Sequence, residues 1–200
     1  MLSKMDLELL YDLSSPYSYL TSTQIEGLAA RAGVRLVLKP FALGAVFKEQ
    51  GITSSSQIPE RRKYMEQDLQ RWAKRYGVPF QVPTPFPTNS ILANRAALAA
   101  DEIGEQPKAM AALFRRYFAD GKDLALPENV IAALTGAGLD GAALVARAQT
   151  QPVKDRLRQI TDEAIRRGAF GAPTIFVGEE MFWGNDRLDF VEEAVRAASK

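Results

Sequence analysis

Residues 7–13 are mostly apolar, with Leu7, Leu9, Leu10, Tyr11 and Leu13, and predict a buried strand. From Pro16 to Arg31 the apolar positions move to helical spacing, with Tyr19, Leu20, Ile25, Leu28 and Ala29 along one stripe. Gly33 then follows as a helix-ending glycine. Residues 34–38 alternate in part and predict a second strand, closed by Pro40 and Gly44. A β-α-β unit of this kind crosses over right-handed onto a parallel sheet. Strand patterning then stops. Residues 60–76 predict a helix with Tyr64, Leu69, Trp72, Ala73 and Tyr76 roughly on one stripe, ended by Gly77-Val78-Pro79. Residues 82–87 are proline-rich and extended, and helical patterns occupy 89–103, 108–118, 127–134, 142–149 and 152–167. The last of these carries Pro152 in its first turn, where proline costs the helix nothing. Strands return at 173–177 and 181–183, joined through Gly178-Glu179-Glu180 as a hairpin. Residues 187–198 close the chain as an amphipathic helix with Leu188, Val191, Ala194 and Val195 on one face.

The order is β-α-β, a helical block, then β-β-α. This is an α/β chain with a thioredoxin-like fold interrupted by a large all-helical insertion domain. The partition expected is 1–43 plus 169–200 for the thioredoxin-like part and 44–168 for the insertion. Two hundred residues, 46% of them hydrophobic, suffice for a substantial core. The formal charge of +1 gives no electrostatic footprint for nucleic acid or an anionic membrane. Neither cysteine nor histidine occurs, which excludes a disulfide, a thiolate-bound metal and the usual near-neutral base. Any acid–base step must come from Asp, Glu, Lys, Tyr, water or a cofactor. The first six residues lack the apolar core of a secretion signal, and no run approaches the ~20 apolar residues that span a bilayer. A cytoplasmic setting is expected.

Three motifs carry chemistry. Ser15-Pro16-Tyr17-Ser18 stands at the first strand-to-helix junction, where thioredoxin-like proteins carry Cys-x-x-Cys. Here serine fills both cysteine positions, so the spacing survives without the redox chemistry. As a site, this junction would be one where hydroxyls meet a thiol from elsewhere. Ser15 also reads as an ordinary N-cap followed by proline. The two readings are compatible, because a helix start carries partial positive charge and spare N–H donors that stabilise a thiolate. Gly171-Ala172-Pro173-Thr174 reads either as a turn into an edge strand or as a cis-proline loop facing that helix start. Trp183-Gly184-Asn185-Asp186-Arg187-Leu188 reads either as the cap of the last helix or as a site for a charged peptide end. In the second reading Asp186 meets an ammonium and free N–H groups hold a carboxylate. Lys48 and Arg61 flank the polar stretch Thr53-Ser54-Ser55-Ser56, as solvated charges or as a cationic rim for an acidic substrate. Trp72, Tyr76, Phe80 and Phe86 read as insertion-domain core rather than a ligand box, and Phe182 and Trp183 fit either role.

Residues 11–20, 68–73, 170–174 and 181–188 together resemble the 2-hydroxychromene-2-carboxylate isomerases, which group with kappa-class glutathione transferases and DsbA-type proteins. The resemblance runs over nearly the whole chain. It implies glutathione as cofactor, a homodimer, and a small aromatic carboxylate from aromatic catabolism as substrate. By that similarity Ser15 matches the catalytic serine beside the glutathione sulfur. Ala172 and Pro173 match the loop that pairs with the cysteinyl backbone, and Asn185 and Asp186 match the contacts to the γ-glutamyl end. The substrate side is expected at Lys48, Tyr17 and Arg61. Two departures stand out: Ile52 occupies the place of an asparagine that contacts ligand in relatives, and Phe86 that of an aromatic hydroxyl. The functions expected are a glutathione-dependent cis-trans isomerase, then a kappa-like transferase or peroxidase, then a redox-inactive thiol- or peptide-binding protein.

Overall fold

A computed structural model of the chain describes residues 6–198; the ends of the two expected thioredoxin-like segments, 1–5 and 199–200, lie outside the described residues. Strand β1 (Asp6–Tyr11) leads into α1 (Pro16–Ala32), and β2 (Arg35–Pro40) follows. Then come α2 (Leu43–Gln50), α3 (Pro59–Tyr76), α4 (Ile91–Asp101) and α5 (Gln106–Phe118). Next are α6 (Pro127–Gly136), α7 (Gly141–Ala148) and α8 (Gln151–Arg166). The chain closes with β3 (Thr174–Val177), β4 (Glu180–Trp183) and α9 (Leu188–Ala198). The sheet order is β2-β1-β3-β4. β1 and β2 run parallel, with Leu7 opposite Leu36 and Tyr11 opposite Pro40. β3 is antiparallel to β1 and forms the hairpin with β4. This is the thioredoxin-like frame, with helices α2 to α8 between β2 and β3 among the described residues.

The boundaries follow from where backbone groups find partners. β1 stops at Tyr11 rather than at residue 13. The Leu13 N–H donates to Asn94 Oδ1 and the Ser14 N–H to the Asp12 carboxylate, so neither is left for the ladder. β2 continues to Pro40 because Tyr11 still has it as partner. α1 ends at Gly33, whose φ of 68° lets its N–H turn back to the last carbonyls. α2 has no counterpart in the sequence reading. It has eight residues, buries only Val46, and its N-cap Ala42 offers no side-chain acceptor, so neither periodicity nor capping announces it.

β1 is covered on both faces. Leu7, Leu9 and Tyr11 pack with Ile25 and Leu28 of α1, with the alanine-rich α4, and with Phe114 and Tyr117 of α5. Leu10 faces the other way, towards Phe41, Val46, Ala164 and Phe176. Tyr19 stacks on Phe118 at 5.5 Å and Tyr11 lies 5.8 Å from Phe114, so aromatic contacts bind α1 and β1 to the insertion. Each such buried side chain contributes roughly 1.5–3 kcal/mol. The junction between β1 and α1 is therefore rigidly backed. No helix among the described residues is long and apolar enough to cross a membrane.

One ionic cluster interrupts the second face. Glu8 accepts hydrogen bonds from Arg167 and Lys39, and the Arg167 guanidinium lies 3.6 Å from the Phe176 ring centroid. Burial pushes the Glu8 carboxyl up, and the two cationic donors outweigh it, leaving its pKa below the ordinary value. A depressed folded-state pKa stabilises the fold above the unfolded value near ~4.3, and that stability is lost as pH falls through the folded value. Glu8→Gln should cost about 1–3 kcal/mol at neutral pH and much less at about pH 3. Urea melts of both proteins at the two pH values check this; a cost that does not change with pH would contradict it.

Candidate active site

Ser15 is extended (φ −90°, ψ 115°) and its Oγ accepts from the Ser18 N–H at 3.2 Å, so it caps α1. The same hydroxyl donates to the Ala172 carbonyl at 2.9 Å, across 157 residues of sequence. Capping and facing the opposite loop are thus done by one side chain, itself 5% exposed. The Ala172–Pro173 peptide is cis. Pro173 is buried behind Ala172, and its carbonyl accepts from the Gly184 N–H at 3.2 Å, which holds the loop before β3 against the turn after β4. A Cβ on Gly171 would fall 2.3 Å from Trp183 Nε1, so only glycine lets the indole lie against this loop. Trp183 packs on Phe170 at 5.0 Å and is half exposed at the mouth.

Asn185 begins a short 3-10 turn, Asn185–Arg187, that precedes α9. It is 3% exposed, its carbonyl accepts from the Tyr76 hydroxyl at 3.1 Å, and its Nδ2 has no hydrogen-bond partner. It is thus a buried amide donor without an acceptor, next to the start of α9. Asp186 is exposed beside it, 3.4 Å from Arg187 Nη1. Gly184, at φ 108°, holds a conformation that strains any other residue, and a Cβ there would also push the exposed Asp186 carboxylate aside.

These groups wall one side of a cleft of about 1390 Å³. The other side comes from α2, the segment that follows it, α3 as far as Trp72, and residues 86–91. Tyr17 lines it and donates to Asp68 Oδ2 at 3.0 Å. Burial, then the Asp68 charge, raise the Tyr17 phenol pKa, so the group stays protonated. Arg61 reaches the rim from the first turn of α3 and is in no ion pair among the described residues. Lys48 is not brought into the cleft. It is exposed in the last turn of α2, where its charge suits the helix C-terminus, while Leu43, Ala45 and Phe47 present the cleft wall. Ile52 lines the cleft and is 42% exposed. Phe80 stacks on Phe118 as core, whereas Trp72 and Phe86 also face the cleft, so the reading of that aromatic set as core alone is corrected. A stripe of aromatics at helical spacing does not distinguish a core from a cleft wall.

Sequence reasoning missed the polar floor. Asp12, 1% exposed, accepts from Ser14 N–H (2.8 Å), Ser14 Oγ (2.7 Å), Ser90 Oγ (2.6 Å) and Leu43 N–H (2.9 Å). Asp68 was missed as a site residue too. The sequence signals were that Asp12 falls three residues before Ser15 and that both aspartates lie inside stretches that carry the family resemblance. No group of three or more potential metal-ligating residues occurs among the described residues.

A thioredoxin frame whose first strand-to-helix junction carries serine in place of cysteine, opposite a cis-proline loop, defines the class: a protein of DsbA type. The DSBA-like thioredoxin domain matches residues 6–196. The 2-hydroxychromene-2-carboxylate isomerase of Sphingobium xenophagum is 31% identical over 188 residues, covering 93% of this chain and 95% of that one. Glutathione S-transferase kappa 1 of Rattus norvegicus is 28% identical, covering 92% and 88%. A solved 2-hydroxychromene-2-carboxylate isomerase superposes with a TM-score of 0.86 at 28% identity, covering 98% and 96%. The chain belongs to the DSBA-like thioredoxin family, together with 2-hydroxychromene-2-carboxylate isomerases and kappa-class glutathione transferases, and the names of the matched isomerases support an isomerase.

Proposed function

We propose that this protein is a glutathione-dependent cis-trans isomerase acting on 2-hydroxychromene-2-carboxylate or a related aromatic-breakdown intermediate. The observation that carries the reading is the Ser15 hydroxyl, set at the start of α1 and hydrogen-bonded to the carbonyl preceding cis-Pro173, in a chain without cysteine. The names of the matched isomerases supply the reaction, and those of the kappa-class relatives supply glutathione.

The residues present fit that tripeptide. The unpartnered Asn185 Nδ2 and the helix start behind it suit the γ-glutamyl carboxylate, and Asp186 suits the ammonium. Ala172 offers its main-chain carbonyl, which already accepts from the Ser15 hydroxyl, for pairing. When bound, glutathione supplies the nucleophilic sulfur that adds reversibly to a conjugated ring system and lets the former double bond rotate. The Ser15 O–H is a rotor: it can turn from the Ala172 carbonyl to donate to a sulfur at the helix mouth, keeping its own proton. That turn frees the Ala172 carbonyl to accept from a docked peptide N–H. Tyr17, held protonated with its O–H on Asp68, offers the substrate an acceptor oxygen rather than a proton, and Arg61 at the rim suits its carboxylate. A homodimer in the cytoplasm belongs to the same proposal.

A transferase that consumes glutathione is the second reading, supported by the kappa-class relatives. Calorimetric titration with glutathione, followed by an isomerisation assay with thiol counting, separates the possibilities. The expected result is saturable heat and full recovery of thiol after many turnovers. Stoichiometric thiol loss points to the transferase, and absence of heat at millimolar ligand contradicts both.

A further inference from the structure

Asp12 takes no part in the chemistry above, yet four donors converge on its buried carboxylate. Two are backbone N–H groups of Ser14 and Leu43, and two are hydroxyls of Ser14 and Ser90. Its main-chain carbonyl accepts in addition from the Ser15 N–H at 2.9 Å. The Leu13 N–H is held by Asn94 Oδ1, and Asn94 Nδ2 donates to the Phe41 carbonyl and to Ser90 Oγ. So all three N–H groups leading into α1, those of residues 13, 14 and 15, are fixed by one polar cluster. That cluster joins the end of β1 to the starts of α2 and α4. Neither helix caps itself: Ala42 has no side-chain acceptor, and Ser90 gives its hydroxyl to Asp12 instead of to its own helix.

We infer that Asp12 is the positioning residue of the site: its carboxylate locks the turn at residues 13–15 to the helical insertion and thereby aims the Ser15 hydroxyl. The inference rests on the glutathione reading given above. Two of its partners are backbone N–H groups, which can only donate, so the place calls for an acceptor oxygen at each of them. The two hydroxyls can rotate, but the two backbone N–H groups cannot. Asp12→Asn is nearly isosteric, yet it turns an NH2 towards one of those fixed donors and leaves it buried without an acceptor. The expected consequence is a shift of the reactive turn, with the peptide-binding loops at Ala172 and Asn185 left in place.

The test is a double-mutant cycle of Asp12→Asn with Ser15→Ala, reading turnover, glutathione affinity by calorimetry, and amide hydrogen exchange of the ligand-free protein. In the otherwise native enzyme Asp12→Asn should lower turnover by about ten- to a hundredfold, the scale of a small misplacement. Affinity should stay within about threefold, and the Ser14 and Leu43 amides should lose protection in the ligand-free state. In the Ser15→Ala background the same substitution should cost less than about threefold in turnover, since its target is gone. Ser90→Ala, which removes one donor and leaves the carboxylate, should show a smaller loss that also vanishes in that background. This second variant decides the matter if Asp12→Asn does not fold. A full-size Ser15 effect with losses from Asp12→Asn or Ser90→Ala that multiply independently overturns this inference alone. A Ser15→Ala enzyme of unchanged turnover overturns the parent reading and this inference with it.

Discussion

Ser15→Ala should lower turnover by about two to three decades, the scale for losing one preorganised donor to developing negative charge. Glutathione affinity should change by less than about threefold, because the hydroxyl is already bonded in the ligand-free protein. Binding exchanges the Ala172 carbonyl for the sulfur as its acceptor, and the net count of bonds is the same. The substitution also removes the N-cap of α1, which should lower stability by about 1 kcal/mol. Turnover is therefore measured well below the melting temperature, where that loss leaves the protein folded. A loss confined to stability would reduce Ser15 to its capping role.

Asn185→Ala should weaken glutathione binding by about ten- to a hundredfold and leave the melting temperature almost unchanged. The asymmetry follows from the unpartnered Nδ2, which makes no hydrogen bond in the ligand-free protein. A ligand carboxylate would lose a charge-assisted bond, with a value of about 1.5–3 kcal/mol. Turnover at saturating glutathione should be nearly native, because this end of the site is remote from the reacting sulfur. Calorimetry of the variant reads the affinity; an unchanged constant would place the γ-glutamyl end elsewhere in the cleft.

Legibility in the sequence followed the range of the physics involved. α1 and α3 were readable because apolar stripes and terminal glycines agree: Gly33 and Gly77 both adopt the left-handed conformation that ends a helix. β1 was readable because a strand buried on both faces has little alternation to obscure. α2 was not, and the misplacement of Lys48 follows from it. A charge in a sequence has no direction until the helix bearing it is known. The cis peptide before Pro173 was expected from the frame rather than from its neighbours. The cis bonds at Thr84–Pro85 and Phe86–Pro87 lie in a stretch read simply as extended. The polar floor was hidden for a different reason. Asp12 and Ser90 are 78 residues apart, and Tyr17 and Asp68 are 51 apart, so nothing local marks either pair. Such pairs exist only once the insertion has packed against the sheet.

The most direct measurement is a pH titration of enzyme-bound glutathione, followed in the ultraviolet thiolate band, for the native protein and for Ser15→Ala. The account predicts that the bound thiol ionises at least about one pH unit below its free value near ~8.5 in the native protein, and that Ser15→Ala returns it most of the way. A bound thiol that titrates at its free value, or at the same depressed value with and without the hydroxyl, would contradict it.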